Sequence, residues 1–248
     1  MNNDLLTRKQ IKRQAKAQLR QNGIWGQMMI ANLLPWLITV VFTLLTLWGM
    51  ANLMAHYGVN KLAADPTAFA VYYRDHADSE SGLLKELILL WFSQGLAFTA
   101  LDVYRGKLKK VHPVQAVMRL FNGKYFFGIL AVAILVEFMQ ILGFFAFFFP
   151  MILAYFGLSM SFYAYYDGRE KARYGALQAL GHSWRIMRGF KLDYFVLKLS
   201  LLGWTILEAI TWHLFDFMID PYLQLVDAGF YENVQAHYQR QVAMSAQP

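Results

Sequence analysis

The chain has 248 residues, of which 57% are hydrophobic and only 16% are charged, and its formal net charge is +7. This composition is too apolar for an ordinary soluble domain and is typical of an integral membrane protein. Cysteine is absent, which excludes a disulfide framework and a thiolate metal site.

The first segment, residues 1–24, is basic and carries one acid, Asp4. Ile11, Ala15 and Leu19 give it a thin apolar stripe, which predicts a cytoplasmic N-terminal helix, and Asn22-Gly23 is a plausible helix stop. The cations of this segment are Arg8, Lys9, Lys12, Arg13, Lys16 and Arg20.

Apolar runs long enough to cross about 30 Å of hydrocarbon at about 20 residues each follow this segment. They must be helical, because a strand surrounded by lipid leaves its backbone groups unpaired. Between the first two runs, residues 56–82 are rich in acids and turn residues and predict an external loop. The predicted spans are residues 27–55, 83–104, 125–149, 151–166, 193–213 and a short, marginal 221–230.

Two further basic segments, residues 105–124 and 167–192, connect apolar runs and have helical periodicity. In the first, Val114, Val117, Met118 and Phe121 are predicted to share one face. In the second, a predicted helix from Glu170 to Arg188 has an apolar face and a polar face. The apolar face comprises Tyr174, Leu177, Leu180, Trp184 and Met187, and the polar face comprises Lys171, Gln178, His182 and Arg185. Such a helix suits either an anionic membrane surface or the protein's own bundle.

Because cations cluster in the segments that would face one side, the positive-inside rule predicts that the N-terminus is cytoplasmic. Six spans then return the C-terminus to the same side, with residues 231–248 as a polar cytoplasmic tail. The predicted fold is therefore all-α: a single integral membrane domain, 1–248, forming a polytopic transmembrane bundle of about six spans. Basic amphipathic interfacial helices cover its cytoplasmic face.

A weak internal repeat supports three helical hairpins. Around Ala15, Ala116 and Ser183 the sequence gives a basic helix, an Asn-Gly or Arg-Gly turn, an aromatic residue and an apolar run. This order predicts hairpins that each begin with a surface helix.

Ionisable groups at membrane depth are costly, and they are therefore candidate sites. Glu137 lies in the middle of the third predicted span, and Glu208 lies past the middle of the fifth. Each is either part of a polar site or a carboxyl group satisfied inside the bundle or at an outer water layer. Asp102, Asp167 and Lys198 are predicted to lie near the inner boundary and to fix helix depth.

The sequence contains no metalloprotease HExxH, no Walker loop, no nucleophile elbow and no dinucleotide fingerprint. Its six histidines are scattered, so no metal triad and no cofactor are predicted, and we expect the protein not to be an enzyme. Nucleic acid is not an expected partner, because the basic segments flank spans as orientation requires.

Several stretches resemble the DUF975 family of bacterial integral membrane proteins. They are GLAFTALDVYRGK at Gly95, SMSFYAYYDG at Ser159, ALQALGHSWRIMRGFKLDYFVLKLSLLGW at Ala176 and PYLQLVDAGFYENV at Pro221. The resemblance implies a multi-pass protein of the bacterial cytoplasmic membrane with no assigned catalytic activity. One departure is Pro150-Met151, where the family tends to have Pro-Gly.

The expected function is a non-enzymatic membrane component that binds anionic inner-leaflet lipid or a partner protein, which includes a second copy of the chain, through the basic helices. The candidate interface residues are Lys171, Arg173, Trp184, Arg185, Arg188 and Arg119. The alternative is a transporter or exporter of a small amphiphile or peptide with a proton-coupled site at Glu137 or Glu208.

Overall fold

The computed structural model describes residues 5–58, 67, 79–145, 148–170 and 175–245, and every regular element in these residues is helical. Most of the predicted external loop, 56–82, lies outside this part of the chain. The helices are α1 Arg8–Arg20, α2 Ile24–Tyr57, α3 Ser79–Tyr104, α4 Pro113–Val117, α5 Phe126–Phe145, α6 Phe148–Leu158, α7 Ser161–Glu170, α8 Ala176–Ile186, α9 Lys191–Leu199, α10 Leu202–Ile210 and α11 Asp216–Ser245.

Helix α1 begins and ends where its local chemistry requires. Thr7 caps it, because the Thr7 hydroxyl accepts from the backbone N–H of Gln10 and the Gln10 side chain accepts from the Thr7 N–H. After Arg20 the chain turns through Asn22 and Gly23, both with positive φ, and α2 begins at Ile24. The predicted helix stop at Asn22-Gly23 is therefore confirmed.

Three described helices are long and apolar enough to cross a membrane: Ile24–His56 in α2, Lys85–Tyr104 in α3 and Phe126–Phe145 in α5. They correspond to the first three predicted spans, so the described part of the protein is all-helical and has three candidate membrane spans. The prediction of six spans is not confirmed. The fourth predicted span consists of two shorter helices, α6 and α7, separated at Ser159-Met160.

The three basic segments meet at one end of the bundle, called here the basic end. The Asn22 side chain donates to the carbonyl oxygen of Lys109, so the start of α2 lies beside the connector that follows α3. The Arg169 guanidinium donates to the carbonyl oxygen of Lys124, which joins the end of α7 to the start of α5. Helices α2 and α5 therefore leave the basic end, and α3 returns to it.

The fifth predicted span, 193–213, is divided into two short helices. Helix α9 lies beside α1, where Asp193 pairs with Arg8 and the Ser200 hydroxyl accepts from Lys12. Helix α10 has nine residues, about 14 Å at 1.5 Å per residue, which is less than half of the hydrocarbon thickness. The turn after α10 is fixed to α2, because the Trp36 indole donates to the His213 carbonyl oxygen at 2.8 Å.

Trp36 is the thirteenth residue of α2 and lies about 18 Å from its start. The α10–α11 turn thus reaches roughly a third of the length of α2, and these two helices form a short hairpin that returns to the basic end. The sequence predicted two crossings here. The residues of the predicted sixth span, 221–230, instead lie within α11, which packs on α1, α2 and α3, whereas the apolar side chains of α10 are mostly exposed.

Helix α11 is continuous and lies at the centre of the basic end, packed against α1, α2 and α3. Its bounds differ from those of the predicted sixth span, 221–230. Pro221, the predicted start of that span, lies inside the helix, and residues 231–245 continue the same helix. Tyr231 and Val234 are fully buried, because α11 supplies the core on which the other helices pack.

The second basic segment, 105–124, forms only the short α4 and a 3₁₀ turn at Met118–Leu120. Its predicted apolar face is only partly correct, because Val117 is buried whereas Val114 and Met118 are exposed. Packing against α3 sets the buried face: a Cβ placed on Gly95 would lie 2.8 Å from the Ala116 carbonyl oxygen, so only glycine permits this approach.

The predicted apolar face of the third basic segment is also partly wrong. Leu180 and Met187 are buried as expected, but Leu177 and Trp184 are exposed on α8. His182, predicted on the polar face, is buried and hydrogen-bonded to Gln235 at 2.7 Å. Small side chains, Ala179 and Ser183, let α8 approach its neighbours closely and rotate the buried face away from the predicted one.

The meeting of the basic segments makes the orientation testable by single-cysteine labelling, because the chain has no native cysteine. In intact cells a membrane-impermeant maleimide should label Ala55→Cys, at the far end of α2. Lys109→Cys and Arg188→Cys should be labelled only after the membrane is permeabilised. Labelling of Lys109→Cys and Arg188→Cys from opposite sides would contradict the arrangement.

Candidate functional site

A buried ion-pair network holds the end of α3, the end of α7 and the middle of α11 together. The Arg105 guanidinium donates to both oxygens of Asp167, at 2.6 and 2.7 Å, and its Nε donates to Glu232 at 2.7 Å. The Tyr231 hydroxyl also donates to Asp167, at 2.8 Å. The side chains of Arg105 and Asp167 are only 15% and 7% exposed. The bidentate bond to Asp167 and the bond to Glu232 together fix the relative positions of the three helices.

Burial alone lowers the pKa of Arg105, but the hydrogen bonds and negative charge of Asp167 and Glu232 outweigh burial and raise it above its usual value. Arg105 therefore stays protonated at any pH at which the protein is folded. The pairing with Asp167 is permanent, and it has no titratable proton to give to a reaction near neutral pH.

A second part of the network surrounds Arg119. Its guanidinium donates to the Asp102 carboxylate and to the Tyr166 hydroxyl, and it lies within 3.4 Å of the Thr99 hydroxyl. The half-exposed Lys107 ammonium lies 3.5 Å from Oδ1 of Asp102. Arg119, a predicted interface residue, therefore forms its ion pair and hydrogen bonds within the protein.

Asp102 and Asp167 are buried among paired cations, whereas the sequence predicted that they reach towards the membrane boundary. Lys198 pairs with Asp227 of α11 at 2.7 Å. Asp102 and its partner Arg119 are 17 positions apart in the sequence, and Asp167 and its partner Arg105 are 62 apart. Sequence periodicity cannot reveal such partners, although acids next to strongly basic connectors were a usable signal.

An exposed surface on α8 and the following turn combines apolar and basic side chains. We call Leu177, Trp184, Arg185 and Arg188 the α8 surface. All four are exposed, and Leu177 and Trp184 lie on the same face of the helix, seven residues apart. Neither arginine forms an ion pair within the described residues. Two other predicted interface residues, Lys171 and Arg173, lie outside the part of the chain that the structure describes.

Trp184 is held in place from two sides. Its ring packs on Gly157 of α6, where a Cβ would lie 2.4 Å from the ring, and the Lys191 ammonium lies 3.5 Å from the ring centroid. Burial lowers the pKa of Lys191. The neighbouring Ser183 hydroxyl donates to the Gly157 carbonyl oxygen at 2.9 Å. The indole is thus a fixed part of the α8 surface, and one cation is stacked on it.

Glu137 is exposed on α5 and lines a groove of about 840 Å³ between α2, α3 and α5. Glu86 and Ser93 of α3 and Pro35 of α2 line the same groove, whose other lining residues are apolar. The carboxyl group of Glu137 is therefore not sealed inside the bundle.

Glu208 lies elsewhere, on α10 near the turn to α11. It is 9% exposed, and its Oε1 has no hydrogen-bond partner among the described atoms. Asp216 pairs with His213 at 2.7 Å in the same turn. Because Glu208 does not line the groove that contains Glu137, the two predicted intramembrane carboxyl groups do not form one site. No group of three metal-ligating side chains is found within the described ranges.

The Arg105 pairing should contribute strongly to stability. Asp167→Ala leaves Arg105 buried with only Glu232 as a partner, and we expect it to lower the free energy of unfolding by about 3–5 kcal/mol. Asp193→Ala is the matched control. It removes an exposed pair with Arg8, whose side chains are 46% and 53% exposed, and should cost at most about 1 kcal/mol. Thermal unfolding in detergent measures both, and equal losses would contradict a special role for the network.

Comparison with known proteins gives one match. Residues 150–238 match the model of a family described as a protein of unknown function, DUF975. No curated protein and no solved structure matches the chain. The match runs from α6 to the middle of α11, and it includes Ser183, the α8–α9 turn and Asp167. This segment of the chain is therefore similar to the DUF975 family.

Proposed function

We propose that the protein is a non-enzymatic membrane component whose basic end binds anionic lipid through the α8 surface. The observation that carries this proposal is the pairing of exposed apolar side chains, Leu177 and Trp184, with the exposed cations Arg185 and Arg188 on one short helix. An amphipathic helix of this kind places its aromatic and apolar groups among acyl chains and its cations at lipid phosphates.

Other exposed cations at the basic end also favour an anionic partner. Lys109 and Lys110 in the connector after α3 are exposed and form no ion pair with any described acid. The acids nearest the bundle core, Asp102, Asp167 and Glu232, are paired internally, so they do not neutralise these surface cations. Each cation near an anionic leaflet contributes about 1 kcal/mol.

Lipid explains the α8 surface better than a soluble protein partner does. Helices α2, α3 and α5 are long enough to insert in a bilayer, and α8 is attached to the same bundle, so lipid lies close to it at all times. The apolar side chains of α8 can therefore contact lipid without the binding of a separate partner.

Amide hydrogen exchange in nanodiscs tests the proposal on the full chain. Phosphatidylglycerol in the nanodisc should slow exchange in residues 176–192 relative to phosphatidylcholine alone, because lipid contact restrains α8. Arg185→Glu with Arg188→Glu should abolish this difference, since two attractive charges become repulsive.

Lys109→Glu with Lys110→Glu is the matched control, because it reverses two exposed cations of another connector and should leave the exchange of α8 sensitive to phosphatidylglycerol. If α8 exchanges equally in both lipids in the unchanged protein, lipid binding by this surface is wrong, and a partner protein becomes the better explanation.

The groove beside Glu137 supports a second candidate, a transporter with a proton-coupled carboxyl group. Its volume of about 840 Å³ lies within the roughly 300–1,000 Å³ typical of small-molecule sites. Both Glu137 and Glu86 line this groove, which lies between the three long helices. A carboxyl group that is reachable from a cavity can exchange protons during transport.

Proton flux in proteoliposomes tests this second candidate without knowledge of a substrate. Under an imposed membrane potential, Glu137→Gln should fold normally and reduce acidification of a trapped pH-sensitive dye at least tenfold, because the groove loses the carboxyl group that is proposed to carry the proton and keeps only Glu86. Glu208→Gln, which lies outside the groove, should leave the flux unchanged. No flux above protein-free liposomes in the unchanged protein would exclude proton coupling through Glu137.

A further inference from the structure

We infer that a pocket between the α1–α2 corner and the α10–α11 hairpin binds one anionic phospholipid, with an acyl chain inside and the phosphate at Lys16 and Arg20. This inference rests on the proposed function only in that the basic end faces an anionic leaflet. It uses residues that are separate from the α8 surface.

The pocket has a volume of about 490 Å³, within the roughly 300–1,000 Å³ of typical small-molecule sites. Aromatic side chains from three helices line it: Trp25 of α2, Trp204 of α10 and Tyr222 of α11. The Trp25 indole donates to the Met218 carbonyl oxygen at 3.3 Å, which fixes the hairpin against the start of α2. The apolar interior is thus held open by contacts between the helices that border it.

The charge of the pocket selects an anion. Lys16 and Arg20 of α1 line it, and its lining includes no acid. Both cations are exposed, and neither forms an ion pair with the acids of the described segments. The Lys16 ammonium lies 5.4 Å from the centroid of the Tyr222 ring, which places a positive charge directly over the apolar wall. A ligand with an anionic head and an apolar tail matches this arrangement.

The position of the pocket favours a lipid of the bilayer as that ligand. It lies where the basic helix α1 ends and the apolar helix α2 begins, which is where lipid phosphates meet acyl chains. Trp204 and Phe215 on its wall are exposed on the outside of the bundle, so an acyl chain can enter sideways from the membrane. Trp25 is likewise exposed at this level, as is usual for tryptophan at a membrane interface.

Native mass spectrometry of the delipidated full chain in detergent tests the inference, with dioleoyl phosphatidylglycerol and dioleoyl phosphatidylcholine as probes. The unchanged protein should bind one phosphatidylglycerol more tightly than phosphatidylcholine. Lys16→Gln with Arg20→Gln should weaken phosphatidylglycerol binding about 30-fold, which corresponds to about 2 kcal/mol, and should leave phosphatidylcholine binding unchanged.

Lys9→Gln with Arg13→Gln is the matched control, because these exposed cations lie on the same helix and do not line the pocket. It should retain phosphatidylglycerol binding. Leu207→Trp should fill the pocket and weaken binding with both cations present. Thermal unfolding of each variant identifies any that has merely lost its fold.

Three results would overturn the inference: equal binding of the two lipids, equal loss in the two charge variants, or binding of glycerophosphoglycerol as tight as that of the whole lipid. Arg185→Glu with Arg188→Glu separates this inference from the proposed function, because it should not change occupancy of the pocket. If phosphatidylglycerol still slows exchange in α8 while the pocket shows no preference, only the pocket assignment is wrong.

Discussion

The pairing of Arg105 with Asp167 and Glu232 is the constraint on which the basic end depends. Burying these charges is costly unless each has its partners, so the helices that carry them must meet in one arrangement. Arg105 follows α3, Asp167 lies on α7 and Glu232 lies on α11, and these three helices therefore form a fixed frame. The α8 surface and the proposed lipid pocket are both built on elements that pack against this frame.

The frame also explains why the protein is divided into two unlike parts. Around α11 the side chains are packed as in a soluble domain, with Tyr166, Tyr231 and Phe98 almost completely buried. Beyond it, α2 and α5 expose most of their apolar residues, as helices do when lipid is their neighbour. The buried ion pairs are thus concentrated at the basic end, and the remaining length of α2 and α5 is apolar enough to insert in a membrane.

Local signals predicted the parts of the fold that local chemistry determines. The stop at Asn22-Gly23 and the three long apolar helices follow from turn preference and from hydropathy over a length that spans a bilayer. The extent of α11 could not be predicted in this way. Pro221 and the polar residues after Phe230 led to a predicted short span, 221–230, with a polar tail behind it, but packing by α1, α2 and α3 keeps the helix continuous.

The candidate sites show the same limit. Of the predicted interface residues, Arg185 and Arg188 are exposed, whereas Arg119 has the same charge and pairs with Asp102, which lies 17 positions away in the sequence. Helical periodicity identifies two faces of α8, but it cannot tell which neighbour covers each one. Small residues such as Ala179 allow another helix to approach closely, so their face of α8 is buried and Trp184 is exposed.

The height of the α10–α11 turn has a consequence for the bilayer itself. Because this hairpin reaches only about a third of the length of α2, the described helices occupy more cross-sectional area near the basic end than near the opposite end. A wedge-like body displaces more lipid from one leaflet than from the other, and the imbalance places the surrounding bilayer under bending stress.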